Sequence, residues 1–363
     1  MTSHQGGSVS QSEPTIENYQ SEERTFPPPP EFVAQANLSD PEIYDRAAAD
    51  PEAFWADIAR NLITWRRDFD TTLQWELPYA KWFVGGKLNV TENCLDRHVD
   101  AGLGDRVAYH WEGEPGDTRT ITYAQLLEDV SRLANVLRGF GVEKGDRVVI
   151  YLPMIPELPM SLLACARIGA IHSVIFGGFS PDSIIDRVND AEAKVVITAD
   201  AGFRKGKPSA LKPNVDTAME RCPTVEKVLV VDRCGTDVTM VAGRDVAYAE
   251  AVAAAERHCE PEEMDSEDPL YILYTSGTTA KPKGIVHTTG GYLTQVAWTT
   301  RQIFDLKPES DTYWCAADVG WVTGHSYITY GPLAAGATEI VFEGVPTYPN
   351  AGRFWQMIER HKC

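Results

Sequence analysis

From residue 122 onward, segments with apolar residues at every third or fourth position alternate with short β-branched runs. The clearest helical segment begins at Thr122, whose hydroxyl can cap a helix, and ends at Gly141. Its apolar positions are Leu126, Val130, Leu133, Leu137 and Phe140. Because residues at this spacing share one side of a helix, the pattern predicts an amphipathic helix packed against a core.

The same alternation continues through two blocks of the chain. In the first block the predicted strands are 147–152, 171–176, 194–198 and 226–231, and the predicted helices are 157–168, 181–190 and 212–221. In the second block the predicted strands are 270–274, 284–287, 312–316 and 338–342, and the predicted helices are 290–304, 325–334 and 350–361. Apolar strands separated by amphipathic helices are typical of parallel sheets joined by right-handed crossovers. The predicted fold class is therefore α/β, with two mainly parallel sheets and packed helices.

Changes in composition divide the chain into four parts. Residues 1–38 are polar and include four consecutive prolines, so we expect a disordered or loosely attached segment. Residues 39–104 are expected to be an N-terminal helical segment, residues 105–260 a first α/β subdomain, and residues 261–363 a second, incomplete one. Each α/β block is expected to supply one of the two sheets. Since the chain ends where the alternation requires another strand, we also expect a truncated chain with an unpaired sheet edge.

Composition and charge exclude several functional classes. The 363 residues are 43% hydrophobic and 23% charged, as in ordinary globular proteins, and no apolar run is long enough to span a membrane. A formal net charge of −19 repels phosphate backbones, so neither nucleic acid nor a membrane is an expected partner. The first residues lack a secretory signal, and seven scattered cysteines without a C-x-x-C motif predict reduced thiols in a cytoplasmic protein. An anionic substrate therefore needs a local pocket of basic groups or amides.

The segment 274–284 (YTSGTTAKPKG) provides such a group of donors between two predicted strands. Its hydroxyls and backbone amides can bind polyphosphate oxygens, and Lys281 and Lys283 add positive charge. It is not a Walker loop, because no G-x-x-x-x-G-K-[ST] pattern can be placed on it. A generic loop of this composition is more often a surface hairpin with solvated lysines, so the order of the residues decides between the two interpretations.

That order resembles the phosphate loop of the adenylate-forming acyl-CoA synthetases, T-S-G-T-T-G-x-P-K-G, with Ala280 as the one departure. The longer run 266–293 resembles the acetyl-CoA synthetases of this family. Further matching segments are 81–89 (KWFVGGKLN), 93–98 (NCLDRH), 176–180 (FGGFS) and 318–326 (DVGWVTGHS). The resemblance extends from about residue 25 to the end of the chain.

The resemblance implies an acetate–CoA ligase that uses ATP, Mg²⁺ and CoA. Acetate and ATP give acetyl-AMP and pyrophosphate, and CoA then gives acetyl-CoA and AMP. It implies that the phosphates of ATP are bound by Thr275, Ser276, Gly277, Thr278, Thr279, Lys281, Lys283 and Gly284. It also implies a large N-terminal domain of two α/β sheets and a small barrel, followed by a mobile C-terminal lid domain. The family's catalytic lysine and metal contacts belong to sequence beyond Cys363, so we expect an N-terminal fragment that is inactive alone.

The same resemblance implies an acetate pocket and a CoA site. The acetate pocket is expected at Trp321, Val322, Thr323 and Gly324, although the family's size-limiting tryptophan lies beyond Cys363. The CoA contacts are expected from Arg204, Lys207, Gly177, Gly178, Thr323 and Thr347. Lys207 replaces an arginine of the family's R-x-G-R motif and keeps the charge without the planar fork. Taken by themselves, a tryptophan–valine pair is often core packing and a basic turn is often a solvated loop.

Two alternatives to the acetate ligase stay open. One is a ligase for propionate or another short-chain acid, because one methylene is worth only about 1–3 kcal/mol in a small apolar pocket. The other is a short, non-catalytic protein that binds CoA or a nucleotide. The sequence contains no zinc-binding spacing and no complete nucleophile elbow, and we interpret His98, His172 and His287 as structural. The sequence does not define an oligomeric state.

Overall fold

The computed structural model describes residues 24–275 and 282–363. The chain divides into two compact units, residues 1–39 and 40–363. In the first unit the described part contains one short helix, α1 (Pro30–Gln35), which begins with a proline and has no buried residue. The second unit contains the sheets, the core and every residue singled out for function.

The helices of the second unit agree closely with the predicted ones after residue 122. They are α2 (Ile43–Ala49), α3 (Pro51–Leu62), α4 (Tyr123–Gly139), α5 (Glu157–Arg167), α6 (Pro181–Ala191), α7 (Lys212–Met219), α8 (Tyr248–Ala254), α9 (Thr289–Gln302), α10 (Val322–Gly324), α11 (Gly331–Ala335) and α12 (Arg353–His361). Three further segments form π-helical turns, Glu92–Asp96, Val99–Leu103 and His325–Tyr330. The predicted helix 325–334 is therefore a π-helical turn followed by α11.

The strands include all eight predicted ones and several that were not predicted. They are β1 (Thr71–Glu76), β2 (Tyr79–Val84), β3 (Lys87–Leu88), β4 (Val107–Glu112), β5 (Thr118–Thr122), β6 (Arg147–Tyr151), β7 (Ile171–Val174), β8 (Val195–Ala199), β9 (Ala201–Arg204), β10 (Lys207–Ala210), β11 (Lys227–Val231), β12 (Asp245–Ala247), β13 (Met264–Asp265), β14 (Pro269–Thr275), β15 (Lys283–Thr288), β16 (Thr312–Trp314) and β17 (Thr338–Phe342). The segment described as helical from the sequence thus also contains β1, β2 and β3.

Two larger sheets form the framework, and both are mainly parallel, which confirms the predicted fold class. The seven-stranded sheet has the order β12-β11-β8-β6-β7-β14-β15, and only β15 runs antiparallel to its neighbour. The four-stranded sheet has the order β16-β17-β4-β5, and only β5 is antiparallel. Three antiparallel pairs, β1-β2, β9-β10 and β13-β3, form the small sheets among the described residues.

The two sheets do not follow the two sequence blocks, contrary to the expectation that each block supplies one sheet. Strands β14 and β15 of the second block extend the seven-stranded sheet, and β4 and β5 of the first block join β16 and β17. The reason is that parallel neighbours are joined by crossovers, so a strand's place in the sheet need not follow its place in the chain. Buried residues of both sheets form one continuous core, which includes Ile150, Trp111 and Val341.

Local sequence signals explain where the best-predicted elements begin. The side chain of Thr122 accepts a hydrogen bond from the N–H of Gln125, and the Gln125 side chain accepts one from the N–H of Thr122. This capping box satisfies two backbone donors at the start of α4. Among the described residues, no helix is both long enough and apolar enough to cross a membrane.

Candidate functional site

A pocket lies where strands of both larger sheets end. We call it the carboxyl-end pocket, because β6, β7 and β17 each lead directly or within two residues into its wall. Its lining consists of Leu152, Pro153, Met154, Phe176, Gly177, Gly178, Gly202, Phe203, Arg204, Ser209, Leu211, Asp318, Glu343 and Gly344. In α/β proteins, ligands bind outside the carboxyl ends of parallel strands, so this position is the one expected for a ligand site.

Three of the residues expected to contact CoA line this pocket, namely Gly177, Gly178 and Arg204. A side chain at Gly178 would lie 2.7 Å from the Phe176 ring, so this position requires glycine. At Gly177 the nearest atoms would be 3.6 Å away, an ordinary contact. A side chain is therefore obstructed by the Phe176 ring at Gly178 and accommodated at Gly177.

The other expected CoA residues, Lys207, Thr347 and Thr323, are not part of the pocket wall. Lys207 is paired with Arg204 across the antiparallel strands β9 and β10, so both basic side chains belong to one short hairpin. Thr347 is exposed in the loop after β17, next to Tyr348, and the Tyr348 hydroxyl is the nearest atom to a side chain built at Gly206 of that hairpin. Thr323 lies apart from these residues, exposed in the short helix α10.

Two acidic side chains border the carboxyl-end pocket, and neither was singled out from the sequence. Burial raises the pKa of Asp318, whose carboxylate accepts a hydrogen bond of 2.7 Å from the N–H of Gly320. Burial also raises the pKa of Glu343, although hydrogen bonds from Arg233 act in the opposite direction. The basic groups that balance this acidity at the pocket are Arg204 and Arg233.

The residues expected to bind acetate divide between two surfaces. The Trp321 ring is 53% exposed and lies 6.1 Å from the Phe176 ring of the carboxyl-end pocket, measured between centroids. Val322 is 46% exposed and lines a separate groove that also contains Trp82, Tyr292 and Ser326. Gly324 is buried, and a side chain there would collide with the backbone carbonyl of Asp318. The segment is therefore held close to the loop after β16.

A buried column of aromatic and imidazole rings supports the acetate segment from below. His325 stacks near Tyr271 and His172, with ring centroids 4.6 and 5.4 Å away. Its Nδ1 lies 3.1 Å from the carbonyl oxygen of Trp321, and because a carbonyl oxygen can only accept, Nδ1 is the nitrogen that donates. Burial lowers the pKa of His325 to about 4 and that of His172 well below its usual value. Both rings are therefore neutral at pH 7.

Strands β14 and β15 bring the two ends of the predicted phosphate loop together. Thr275 is paired with Lys283, and Tyr274 with Gly284, at the edge of the seven-stranded sheet. Thr275, Lys283 and Gly284 are exposed. The remaining predicted phosphate-binding residues, Ser276, Gly277, Thr278, Thr279 and Lys281, lie outside the described residues.

A hydrogen bond fixes the strand from which this loop emerges. The Tyr274 hydroxyl donates to the Asp190 carboxylate of α6 at 2.6 Å, and the Arg187 guanidinium lies 5.7 Å from the Tyr274 ring centroid. Burial and the nearby carboxylate raise the pKa of Tyr274, so the phenol keeps its proton. Tyr274 begins the segment recognised from the sequence, but its contact with Asp190 was not predicted because the two residues are distant in the chain.

The described residues offer no preformed metal centre. Within residues 24–275 and 282–363, no three or more histidine, cysteine, aspartate or glutamate side chains are grouped so that they could hold a metal ion. All seven cysteines are free, and Cys94 and Cys165 are buried in the core. Burial raises the pKa of the Cys94 thiol to about 12, so it remains protonated.

Two family models match the chain over nearly its whole length. Residues 95–363 match the family described as AMP-binding enzyme, and residues 41–94 match the one described as acetyl-coenzyme A synthetase N-terminus. The chain is 59% identical over 348 residues to an acetyl-coenzyme A synthetase of Streptomyces avermitilis, which covers 96% of this chain and 53% of the relative. It is 60% identical over 339 residues to the protein of the same name from Rubrobacter xylanophilus, covering 93% of this chain and 52% of the relative. The chain thus spans about half the length of the curated relatives it matches.

Proposed function

Because the chain belongs to the AMP-binding enzyme family, we propose that its function is acetate–CoA ligation. In the first step an acetate oxygen attacks the α-phosphorus of ATP, and pyrophosphate leaves. In the second step the sulfur of CoA attacks the carbonyl carbon of acetyl-AMP, and AMP leaves. The relatives from Streptomyces avermitilis and Rubrobacter xylanophilus both carry the name acetyl-coenzyme A synthetase, which supports acetate as the acid.

The proposal depends most on one contact pattern, in which the expected CoA and acetate residues meet at the same ring. The guanidinium carbon of Arg204 lies 5.9 Å from the Phe176 ring centroid, and the Trp321 ring lies 6.1 Å from it on the acetate side. In the second step the thiol must reach the acyl carbon, so the arm of CoA that carries the thiol has to extend from the basic turn at Arg204 to the acetate segment. An arrangement in which nucleophile and acyl group are held close also accounts for much of the rate that such enzymes achieve.

The β14–β15 hairpin is proposed to bind the phosphates of ATP. Lys283 and the hydroxyl of Thr275 would contact phosphate oxygens together with the loop residues between them, and donors aimed at these oxygens stabilise the charge that shifts during attack. Mg²⁺ would neutralise part of the triphosphate charge. The described residues contain no cluster that could hold a metal ion, and the resemblance assigns the family's metal contacts to sequence beyond Cys363.

A second acid, propionate, is favoured by the openness of the acetate segment. Trp321 and Val322 are both about half exposed, so in the described structure these two side chains do not enclose a methyl group. A pocket wall that covers just one side of the acid discriminates weakly between acids that differ by one methylene. The preference between acetate and propionate is therefore expected to depend on residues other than these two.

The proposal predicts that this chain binds its substrates and does not adenylate acetate alone, because the resemblance assigns the adenylation lysine to the part of the relatives beyond the match. We also propose a cytoplasmic location, which the seven free thiols support.

Calorimetry with the 363-residue chain tests binding. ATP with magnesium and CoA should each bind, and Lys283→Ala and Arg204→Ala should weaken ATP and CoA respectively. If neither ligand binds, the proposed ligase function is wrong. Binding of CoA without ATP would favour the non-catalytic CoA-binding alternative.

Exchange of labelled pyrophosphate into ATP tests adenylation by the same chain. With acetate or propionate present, the exchange rate should remain at the level measured without an acid. Exchange that depends on acetate would show that adenylation needs only the residues present here.

A further inference from the structure

The buried side chain of Glu114 accepts hydrogen bonds from three backbone N–H groups in two distant loops. One carboxylate oxygen accepts from Lys205 and from Val345, both at 3.0 Å, and the other accepts from Gly206 at 2.7 Å. Glu114 is only 2% exposed, so these amides and not water satisfy its charge. Hydrogen bonds to an ionised group are stronger than neutral ones, and three of them hold both loops firmly.

The loop that Glu114 holds is the turn between Arg204 and Lys207. The turn residues Lys205 and Gly206 both have positive φ, +53° and +75°, as required for a tight two-residue hairpin turn. Successive N–H groups in such a turn form a concave nest that favours an anion, and here the anion is the Glu114 carboxylate. On its other side the turn is closed by Tyr348, since a side chain at Gly206 would lie 2.4 Å from the Tyr348 hydroxyl.

A second buried carboxylate fixes the strand before the turn. Glu343, 1% exposed, accepts a hydrogen bond of 3.1 Å from the N–H of Phe203. Arg204 therefore lies between two residues, Phe203 and Lys205, whose backbone amides are each bound by a buried glutamate. Strands β9 and β10 pair only with each other among the described residues. The position of the hairpin against the carboxyl-end pocket consequently depends on these two carboxylates.

We propose that Glu114 is a positioning residue for CoA, which sets the direction of Arg204 and Lys207 toward the phosphate on the ribose of the CoA nucleotide. This inference rests on the proposed function. A carboxylate is required because three donors face it and it offers only acceptors. In Glu114→Gln the amide NH₂ would face one of these N–H groups, so the turn would lose at least one bond and its fixed orientation.

Calorimetric titration of the 363-residue chain with CoA and with dephospho-CoA, which lacks that phosphate, tests this role. Glu114→Gln should weaken CoA about tenfold and dephospho-CoA much less, because the affected contacts are charge-assisted ones to the phosphate. Glu76→Gln is the matched control, since it makes the same substitution at an exposed glutamate of β1 outside the lining of the carboxyl-end pocket, and it should leave both affinities unchanged.

Combination with Arg204→Ala and Lys207→Ala separates positioning from general damage. If Glu114 acts through these two residues, adding Glu114→Gln to the Arg204→Ala/Lys207→Ala variant should not weaken CoA binding further. Additive losses, an equal loss for CoA and dephospho-CoA, or no loss in Glu114→Gln would each overturn the positioning role. Should Glu114→Gln not fold, Gly206→Ala disturbs the same turn from the Tyr348 side and should show the same selective loss; unchanged selectivity there would overturn the proposal.

The wild-type chain distinguishes this inference from the proposed function. If it binds ATP but not CoA, the CoA site and the positioning role are both wrong while the nucleotide site stands. If the wild-type chain binds CoA and Glu114→Gln binds it with the same affinity, the positioning role alone is wrong.

Discussion

The Nε2 atom of His172 lies 2.6 Å from the hydroxyl oxygen of Tyr330, and both side chains are fully buried. His172 belongs to β7 of the seven-stranded sheet, and Tyr330 ends the π-helical turn that follows the acetate segment. The bond therefore joins the segment expected to bind acetate to the centre of the fold. Among the described residues, the other ring nitrogen of His172 has no hydrogen-bond partner, so Tyr330 provides the one hydrogen bond of this imidazole there.

The single variant Tyr330→Phe should lower the free energy of unfolding more than the double variant in which His172 is replaced as well. Tyr330→Phe leaves a buried imidazole without any partner, which costs about 1–3 kcal/mol of the free energy of unfolding. Replacing both residues, with His172→Phe added, removes the unsatisfied group and should restore part of that loss. Urea denaturation of the two single variants and the double variant measures the difference. A double variant as unstable as the sum of the single ones would contradict this interpretation.

Stability should fall as the pH drops from about 6.5 to 4, in part because His325 is buried and neutral. The folded pKa of His325 is about 4, against 6.5 for a free histidine, so the unfolded chain binds the extra proton first. This pKa difference corresponds to roughly 3 kcal/mol, fully lost only below the folded pKa. Glu339 acts in the opposite sense, since burial raises its pKa well above 4.5.

The comparison of wild type with His325→Phe isolates the histidine, because Glu339 is common to both proteins. The unfolding free energy of the variant, measured by urea titration at several pH values, should depend less on pH between 6.5 and 4. Parallel pH curves would show that His325 is not the group responsible.

The elements that the sequence predicted are those whose signals are local. Thr122 and Gln125 form a capping box that can be recognised within four residues, and α4 begins where it predicts. Strand β4 was missed because it contains His110 and Glu112, which resemble a solvated segment. In the fold both positions are paired with β17, and Glu112 is buried.

In the candidate site, too, the residues predicted from the sequence are those that belong to short local motifs. The glycine-rich loop and the basic turn were recognised as short motifs, whereas Glu114 was not, although it is bound to the turn that carries Arg204. Its amide partners, Lys205, Gly206 and Val345, are distant in sequence, and a glutamate before proline and glycine is typical of an exposed loop. The division of the acetate segment between two surfaces likewise depends on packing at Phe176 and Tyr292.

Glu112 should be the residue on which the attachment of α12 depends. Its buried carboxylate accepts hydrogen bonds from Arg353 at 3.0 Å and Arg360 at 2.5 Å, and lies 2.7 Å from Nε2 of His361. Glu112→Gln leaves Arg353 buried without its counter-ion, which should cost about 3 kcal/mol of the free energy of unfolding.

Arg360→Gln is the control for that variant. Because the Arg360 side chain is 51% exposed, its ion pair is screened by solvent, and its loss should cost less than about 1 kcal/mol. Urea denaturation gives both values, and amide hydrogen exchange of α12 should accelerate only in Glu112→Gln. Equal losses in the two variants would show that burial of the pair is not what matters.

Lys283 should distinguish nucleotides by their phosphates. If it contacts the outer phosphates, Lys283→Ala should weaken binding of ATP with magnesium by about tenfold and leave AMP nearly unaffected, since each lost charge-assisted contact is worth about 1.5–3 kcal/mol before solvent screening. Lys81→Ala, at an exposed lysine of β2, should change neither. Calorimetry with ATP and AMP provides the test, and an equal loss for both nucleotides would place Lys283 away from the outer phosphates.

The exchange of strands between the two sheets has a consequence for how the chain acquires its structure. Strand β4 cannot pair with β17 until the chain has been synthesised through Phe342. In the same way, β7 cannot pair with β14 until β14 has been synthesised. Contacts between such distant segments slow folding and leave sheet edges exposed in the interim. We therefore expect the residues before about 260 to bind chaperones until the later strands are available. A polypeptide cut near residue 260 should yield two pieces that are insoluble separately and that assemble when they are produced together.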